Sequence, residues 1–221
     1  MLGEANCSGD LQWSRGRFVC FHFLFTRQLS YLFTLHPSPF TLHSFTKQMA
    51  RVPFIDDIEH PELKPLADRI RAERGGRLYN LYKVLLNNPR IAEGWLALFT
   101  AIRQQSDLGG RYRELAIMLV AVINRAEYEY VQHVPFALKA GLTQAQLDAL
   151  RDWRNSKLFE DADRAVLEYT EAMTRSVQVP DEVFAAVARH FDARQTVELT
   201  ATVAGYNLVS RFLEALKVDH E

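Results

Sequence analysis

From Pro53 onward, apolar residues return every three or four positions, the period of helices with one buried face, and the breaks between runs carry helix punctuation. His60-Pro61 opens a segment through Arg74 that Gly75-Gly76 closes. Leu78, Leu81, Tyr82, Leu85 and Leu86 continue at helical spacing. Asn88-Pro89 sets an N-cap residue before a proline at the first helical position, predicting a helix to about Gln105 with Trp95, Leu96, Leu98 and Phe99 in the core. Leu108-Gly109-Gly110 breaks the chain. Residues 112–124 are almost wholly apolar after Glu114. A helix apolar on every side must be buried on most of them, so this one is expected at the centre.

Ala126 to Ala140 follows, closed by Gly141; Pro135 falls inside it and is expected to kink the helix beside His133. Thr143 and Gln146 form a capping box for a short helix through Trp153, and Asp161 starts another through about Ser176. Pro180-Asp181, and then Asp192 with Gln195, start the last two. The final helix, Thr196 to Lys217, is expected to bury Leu199, Val203, Tyr206, Leu208, Phe212 and Leu216. An alternating strand pattern with turn signals occurs nowhere. The expectation is an all-α bundle of about seven or eight helices with no sheet, over residues 49–221.

Residues 1–48 are unlike the rest. They hold seven of the fourteen Phe and three of the seven His, and no acidic residue occurs between Asp10 and Asp56. The apolar run Phe18 to Phe25 contains His22 and ends at Arg27, too short and interrupted for a membrane span. With neither a helical nor a strand period, the stretch reads as a disordered N-terminal extension, from upstream translation or as an organellar transit segment. Met49-Ala50-Arg51 resembles a natural start. The corresponding expectation for location is the cytoplasm, or the mitochondrion if 1–48 is a genuine transit segment.

Composition narrows the chemistry. A net charge of -1 gives no general attraction to nucleic acid or anionic membrane. Both cysteines, Cys7 and Cys20, precede the helical region, which therefore has no disulfide and no thiolate metal site. No zinc or phosphate-loop spacing occurs; one His with two Glu is a sparse ligand set, so neither a metal nor an organic cofactor is expected. The residues that stand out lie on two consecutive helices. Glu114 enters an apolar run, where an unpaired carboxylate is costly, although a Glu near a helix start also satisfies free amides there. Ala126, Glu129, Tyr130, His133 and Ala137 share one helical face, which sets a carboxylate and an imidazole four residues apart. A lone His on such a face can equally be structural.

Arg113-Glu114-Leu115-Ala116-Ile117, Ala126-Glu127-Tyr128-Glu129-Tyr130-Val131-Gln132-His133 and Ala140-Gly141-Leu142 resemble the carboxymuconolactone decarboxylase family, within the alkyl hydroperoxidase D-like superfamily. The likeness runs from about residue 75 to 216. In the peroxidase branch the positions of Ala126 and Glu129 are redox cysteines; here the flanking Glu114 and His133 remain without them. A peroxide-reducing site needs a thiolate and a resolving partner, whereas Glu114, Glu129 and His133 move protons. The resemblance therefore implies a lyase, an acid–base decarboxylase of a small carboxylated lactone or oxo acid, with His133 as donor or base and Glu129 and Glu114 in its relay. Arg113, Arg125 or Arg211 are candidates to hold the substrate carboxylate, and Asn207 stands one turn before Arg211, so the two could line one pocket. The remaining alternatives are a thiol peroxidase and a non-catalytic oligomer that keeps the pocket for binding. The resemblance also implies a homo-oligomer, with a small molecule as the other partner.

Overall fold

The computed structural model describes residues 50–221, and the segment 1–48 with both cysteines lies outside the described residues. Nine α-helices and no strand are found among them: α1 (Lys64–Glu73), α2 (Asn80–Leu85), α3 (Pro89–Gln104), α4 (Gly110–Asn124), α5 (Glu127–Lys139), α6 (Gln144–Ala149), α7 (Asp161–Ser176), α8 (Asp181–Ala188) and α9 (Ala193–Leu216). The helix count exceeds the expectation because short segments stand as separate helices. Pro61–Leu63 and Leu150–Asp152 form 3-10 turns, and the second of these ends the helix begun at Thr143 before Trp153.

Caps explain the boundaries. Asn88 Oδ1 accepts from the Ile91 amide at 3.3 Å, with Pro89 at the first helical position of α3. Thr143 with Gln146, Glu160 with Asp163, and Asp192 with Gln195 close reciprocal capping boxes at the starts of α6, α7 and α9. Gly141, at φ 92°, turns the chain out of α5 in a conformation that disfavours a side chain. Pro135 does not end α5, which continues through it to Lys139.

The α4 helix is the axis of the bundle. Every residue from Glu114 to Ala121 is buried, and α5, α7 and α9 all pack on it. Gly205 lets α9 approach α3: a Cβ there would stand 3.1 Å from Ile102 Cδ1 and 3.3 Å from Phe99 Cε1. Leu98 and Leu208, both expected in the core, are 45% and 46% exposed. Each lies off the buried stripe of its helix, Leu98 by about 100° and Leu208 nearly opposite, so residue type misled where angle decided. No described helix is long and apolar enough to cross a membrane.

Candidate active site

Helices α3, α4, α5 and α9, with the end of α1 and the start of α2, line an open cavity of about 350 Å³ that Arg103, Arg113, Glu114, Glu129, His133 and Tyr206 all face. Glu114 comes from the buried axis, past the first turn of α4, so it does not serve as an N-terminal cap. Its Oε2 lies 2.8 Å from Nδ1 of His133 on α5, with both groups buried. The imidazole meets the Tyr206 ring edge-on, with centroids 5.0 Å apart, which fixes its plane from α9.

Burial works to raise the pKa of Glu114, but the bond from His133 and the charges of His133, Arg113 and Arg103 outweigh it and hold the carboxyl below its usual 4.5. Burial pushes His133 down from 6.5; the bond to Glu114 offsets part of this, and Arg103 and Arg113 add to the depression. At neutral pH the pair is a carboxylate and a neutral imidazole. An ionised carboxylate only accepts, so Nδ1 carries the imidazole proton and Nε2 presents a lone pair. Among the described residues Nε2 has no hydrogen-bond partner.

Glu129 has the opposite character. It is 1% exposed, and burial raises its pKa well above 4.5, with only a hydrogen bond to Ser210 opposing the shift. Ser210 Oγ lies 2.9 Å from Glu129 Oε2 and 3.0 Å from the Tyr206 backbone oxygen. The hydroxyl proton satisfies one acceptor; a protonated Glu129 completes the set by donating to Oγ itself. Its Oε1 has no partner among the described residues. The cavity thus holds a neutral His133 and two carboxyl groups with opposite resting states, ionised at Glu114 and neutral at Glu129.

The i,i+4 spacing anticipated a Glu129–His133 contact, but each side chain turns instead to a neighbouring helix. His133 meets α4, and Glu129 meets α9. Of the residues proposed for substrate, Arg113 lines the cavity, with Nε 3.5 Å from Glu114 Oε1. Arg125 is a correction: it ends α4 in a left-handed conformation and lines a separate open cleft beside α6 and α7. Asn207 and Arg211 are a second correction, since neither lines the cavity. Arg211 Nη1 donates to Asn207 Oδ1 at 2.7 Å, and Asn207 Nδ2 donates to Thr174 Oγ1 at 3.0 Å. Their one-turn spacing made them partners of each other, on the flank of α9 that faces α7. Sequence reasoning missed Arg103 and Ser210, and took Tyr206 for core only. Arg103 looks like an ordinary cation in the last turn of a helix, and nothing in its spacing marks it.

The architecture is that of alkyl hydroperoxidase D-like proteins. The alkylhydroperoxidase AhpD core of an uncharacterized peroxidase-related protein from Ralstonia eutropha superposes with a TM-score of 0.68 over 78% of this chain and 93% of that one, at 16% identity. The debrominase Bmp8 does so with a TM-score of 0.64 over 76% and 90%, at 20% identity. The model of the carboxymuconolactone decarboxylase family matches residues 89–172, which include Glu114, Glu129 and His133 and stop before α9. The uncharacterized Escherichia coli protein YnjA is 33% identical over 127 residues, spanning 57% of this chain and 66% of that relative. Residues 89–172 are thus similar to the carboxymuconolactone decarboxylase family, and the chain spans just under two thirds of the length of YnjA.

Proposed function

We propose that this protein is a carboxymuconolactone decarboxylase-like enzyme, a lyase acting by proton transfer on a small carboxylated lactone or oxo acid. One observation carries the reading: the buried Glu114–His133 dyad faces the same cavity as the buried carboxyl of Glu129. The carbon–carbon bond to the substrate carboxylate breaks, CO2 leaves, and the electron pair moves into the conjugated carbonyl. Glu129 delivers its proton to carbon. The carboxylate left behind is disfavoured by burial, so it is reprotonated from solvent across the cavity that it shares with His133, whose transient positive charge Glu114 stabilises. The neutral resting imidazole thus makes His133 the relay and Glu129 the acid. General acid–base help of this kind amounts to about 10²–10⁴-fold.

Thiol peroxidase chemistry is disfavoured because the positions of its two sulfurs hold the buried Ala126 and Glu129. Val131 and Leu138 stand 49% and 42% exposed on one face of α5, apolar surface that suits a second copy of the chain, so the homo-oligomer belongs to the same proposal. We propose the cytoplasm, whose reducing conditions suit a helical region that relies on packing without cysteines.

The test is a screen of lactones and β-oxo acids for CO2 release, followed by His133→Gln and Glu129→Gln on any hit. Each variant is expected to lose about 100-fold or more in turnover. Full turnover by His133→Gln would sink the proposal. Peroxide reduction with a thiol reductant, lost on replacing Cys7 and Cys20, would favour the peroxidase reading instead.

A further inference from the structure

Three guanidinium groups line the cavity, and they differ in what occupies them. Arg74 is fully engaged: Nε donates to Tyr82 Oη at 2.8 Å, Nη1 to the Glu73 oxygen at 2.9 Å and to Thr100 Oγ1 at 3.1 Å, and Nη2 to the Leu96 oxygen at 3.3 Å. Arg113 leans on Glu114. Arg103 has neither a hydrogen bond nor an ion pair among the described residues; it is half-buried, and its guanidinium lies over the Phe136 ring, 5.1 Å from the centroid. That contact holds the guanidinium by its carbon and leaves its N–H donors without a protein partner.

Tyr206 supplies a second open group. The residue is 2% exposed, yet its hydroxyl has no partner among the described residues, and burial raises its pKa so that it stays a neutral donor. A half-buried fork of five donors and a phenol hydroxyl that opens to the cavity, neither used by a protein partner, stand free for a ligand beside the proton-relay pair. The walls are flat rings: Trp95 and Phe99 have centroids 5.0 Å apart, and Phe99 and Tyr206 5.6 Å apart. The cavity volume lies at the small end for ligand sites, enough for one ring.

We infer that Arg103 and the Tyr206 hydroxyl form the recognition site for a small planar monocarboxylate bearing a second oxygen, Arg103 gripping the carboxylate through its fork and Tyr206 donating to the neighbouring carbonyl. The inference rests on the reading of this cavity as the substrate site. It makes Arg103, rather than Arg113, the carboxylate anchor, and leaves Arg113 to hold Glu114 ionised. It also selects against neutral analogues of the same shape.

Calorimetric binding to the full chain tests this with three probes: benzoate, its neutral counterpart benzamide, and benzoylformate, which adds a ketone next to the carboxylate. Benzoate is expected to bind at least about 10-fold tighter than benzamide, benzoylformate tighter again by a few-fold. Arg103→Gln should abolish the benzoate-over-benzamide preference, and Arg103→Lys should keep part of it by charge without the fork. Tyr206→Phe should remove only the benzoylformate-over-benzoate preference. Equal binding of benzoate and benzamide, no binding of any probe, or an unchanged preference in Arg103→Gln would overturn the inference. These outcomes are independent of turnover. A His133→Gln variant that kept full activity while Arg103→Gln lost benzoate would refute the acid–base proposal and leave this site standing.

Discussion

Glu129→Gln isolates the neutral carboxyl, because the amide keeps its shape and can still donate to Ser210 but has no proton to release. The unfolded chain ionises this group around its usual 4.5, while the folded chain keeps it protonated to a much higher pH. Between those limits folding takes up one proton, so the sign is fixed: the stability of the natural protein falls as pH rises above 4.5, by about 1.4 kcal/mol per pH unit from this group alone. The variant lacks that slope. Its stability relative to the natural protein should therefore grow as pH rises above roughly 5, at a slope approaching about 1.4 kcal/mol per unit. Urea unfolding of both proteins across that range measures the difference directly, since groups common to both cancel. A difference that stays constant with pH would show that Glu129 is ionised in the folded protein, and the assignment of Glu129 as the acid would fail.

Other expectations follow from the same geometry. Glu114→Gln removes the charge that offsets the depression of His133, so the imidazole pKa should fall further and the acid limb of the pH–rate profile should move to lower pH, with turnover down about 10–100-fold. For His133 the sign is the reverse of Glu129: the folded state stays neutral where the unfolded chain binds a proton, so stability is lost as pH falls below 6.5, and His133→Gln should flatten that loss in acid unfolding curves. Gly205→Ala presses on Ile102 and Phe99, which must shift by a few tenths of an ångström, and should cost about 1–3 kcal/mol, read as a lower Tm, while narrowing the cavity that Phe99 lines. Asp163 is 2% exposed and holds Arg111 through two bonds, of 3.1 Å and 2.7 Å; Asp163→Ala should cost about 2–3 kcal/mol in denaturant unfolding, below the range for a fully buried pair because Arg111 is partly solvated.

The fold was legible because its signals are local. Asn88-Pro89 and the Thr143 and Asp192 boxes mark helix starts through bonds spanning three residues, and the unbroken apolar run after Glu114 leaves α4 no place but the centre. Leu98 and Leu208 went astray because apolar character alone does not say which way a residue points on a helix already buried on one side. At the site, spacing brought Glu114, Glu129 and His133 to notice, yet the partner of each was set across helices. His133 bonds a residue 19 positions earlier and Glu129 one 81 positions later, separations to which no periodicity speaks. Arg125, Asn207 and Arg211 failed because packing, not spacing, decides which cavity a helix end or flank faces. Arg103 was invisible because what distinguishes it is the lack of a partner, a property of packing and not of spacing.

The central claim is that His133 rests as a neutral base with Nδ1–H given to Glu114 and Nε2 open to the cavity. Nitrogen-15 NMR of the histidine rings in the full chain, with the His133 signals assigned by their loss in His133→Gln, tests it without a substrate. At neutral pH the account predicts a protonated Nδ1 and an unprotonated Nε2, with no change until the pH falls below 6.5. Two protonated nitrogens at neutral pH, or the proton on Nε2, would contradict it.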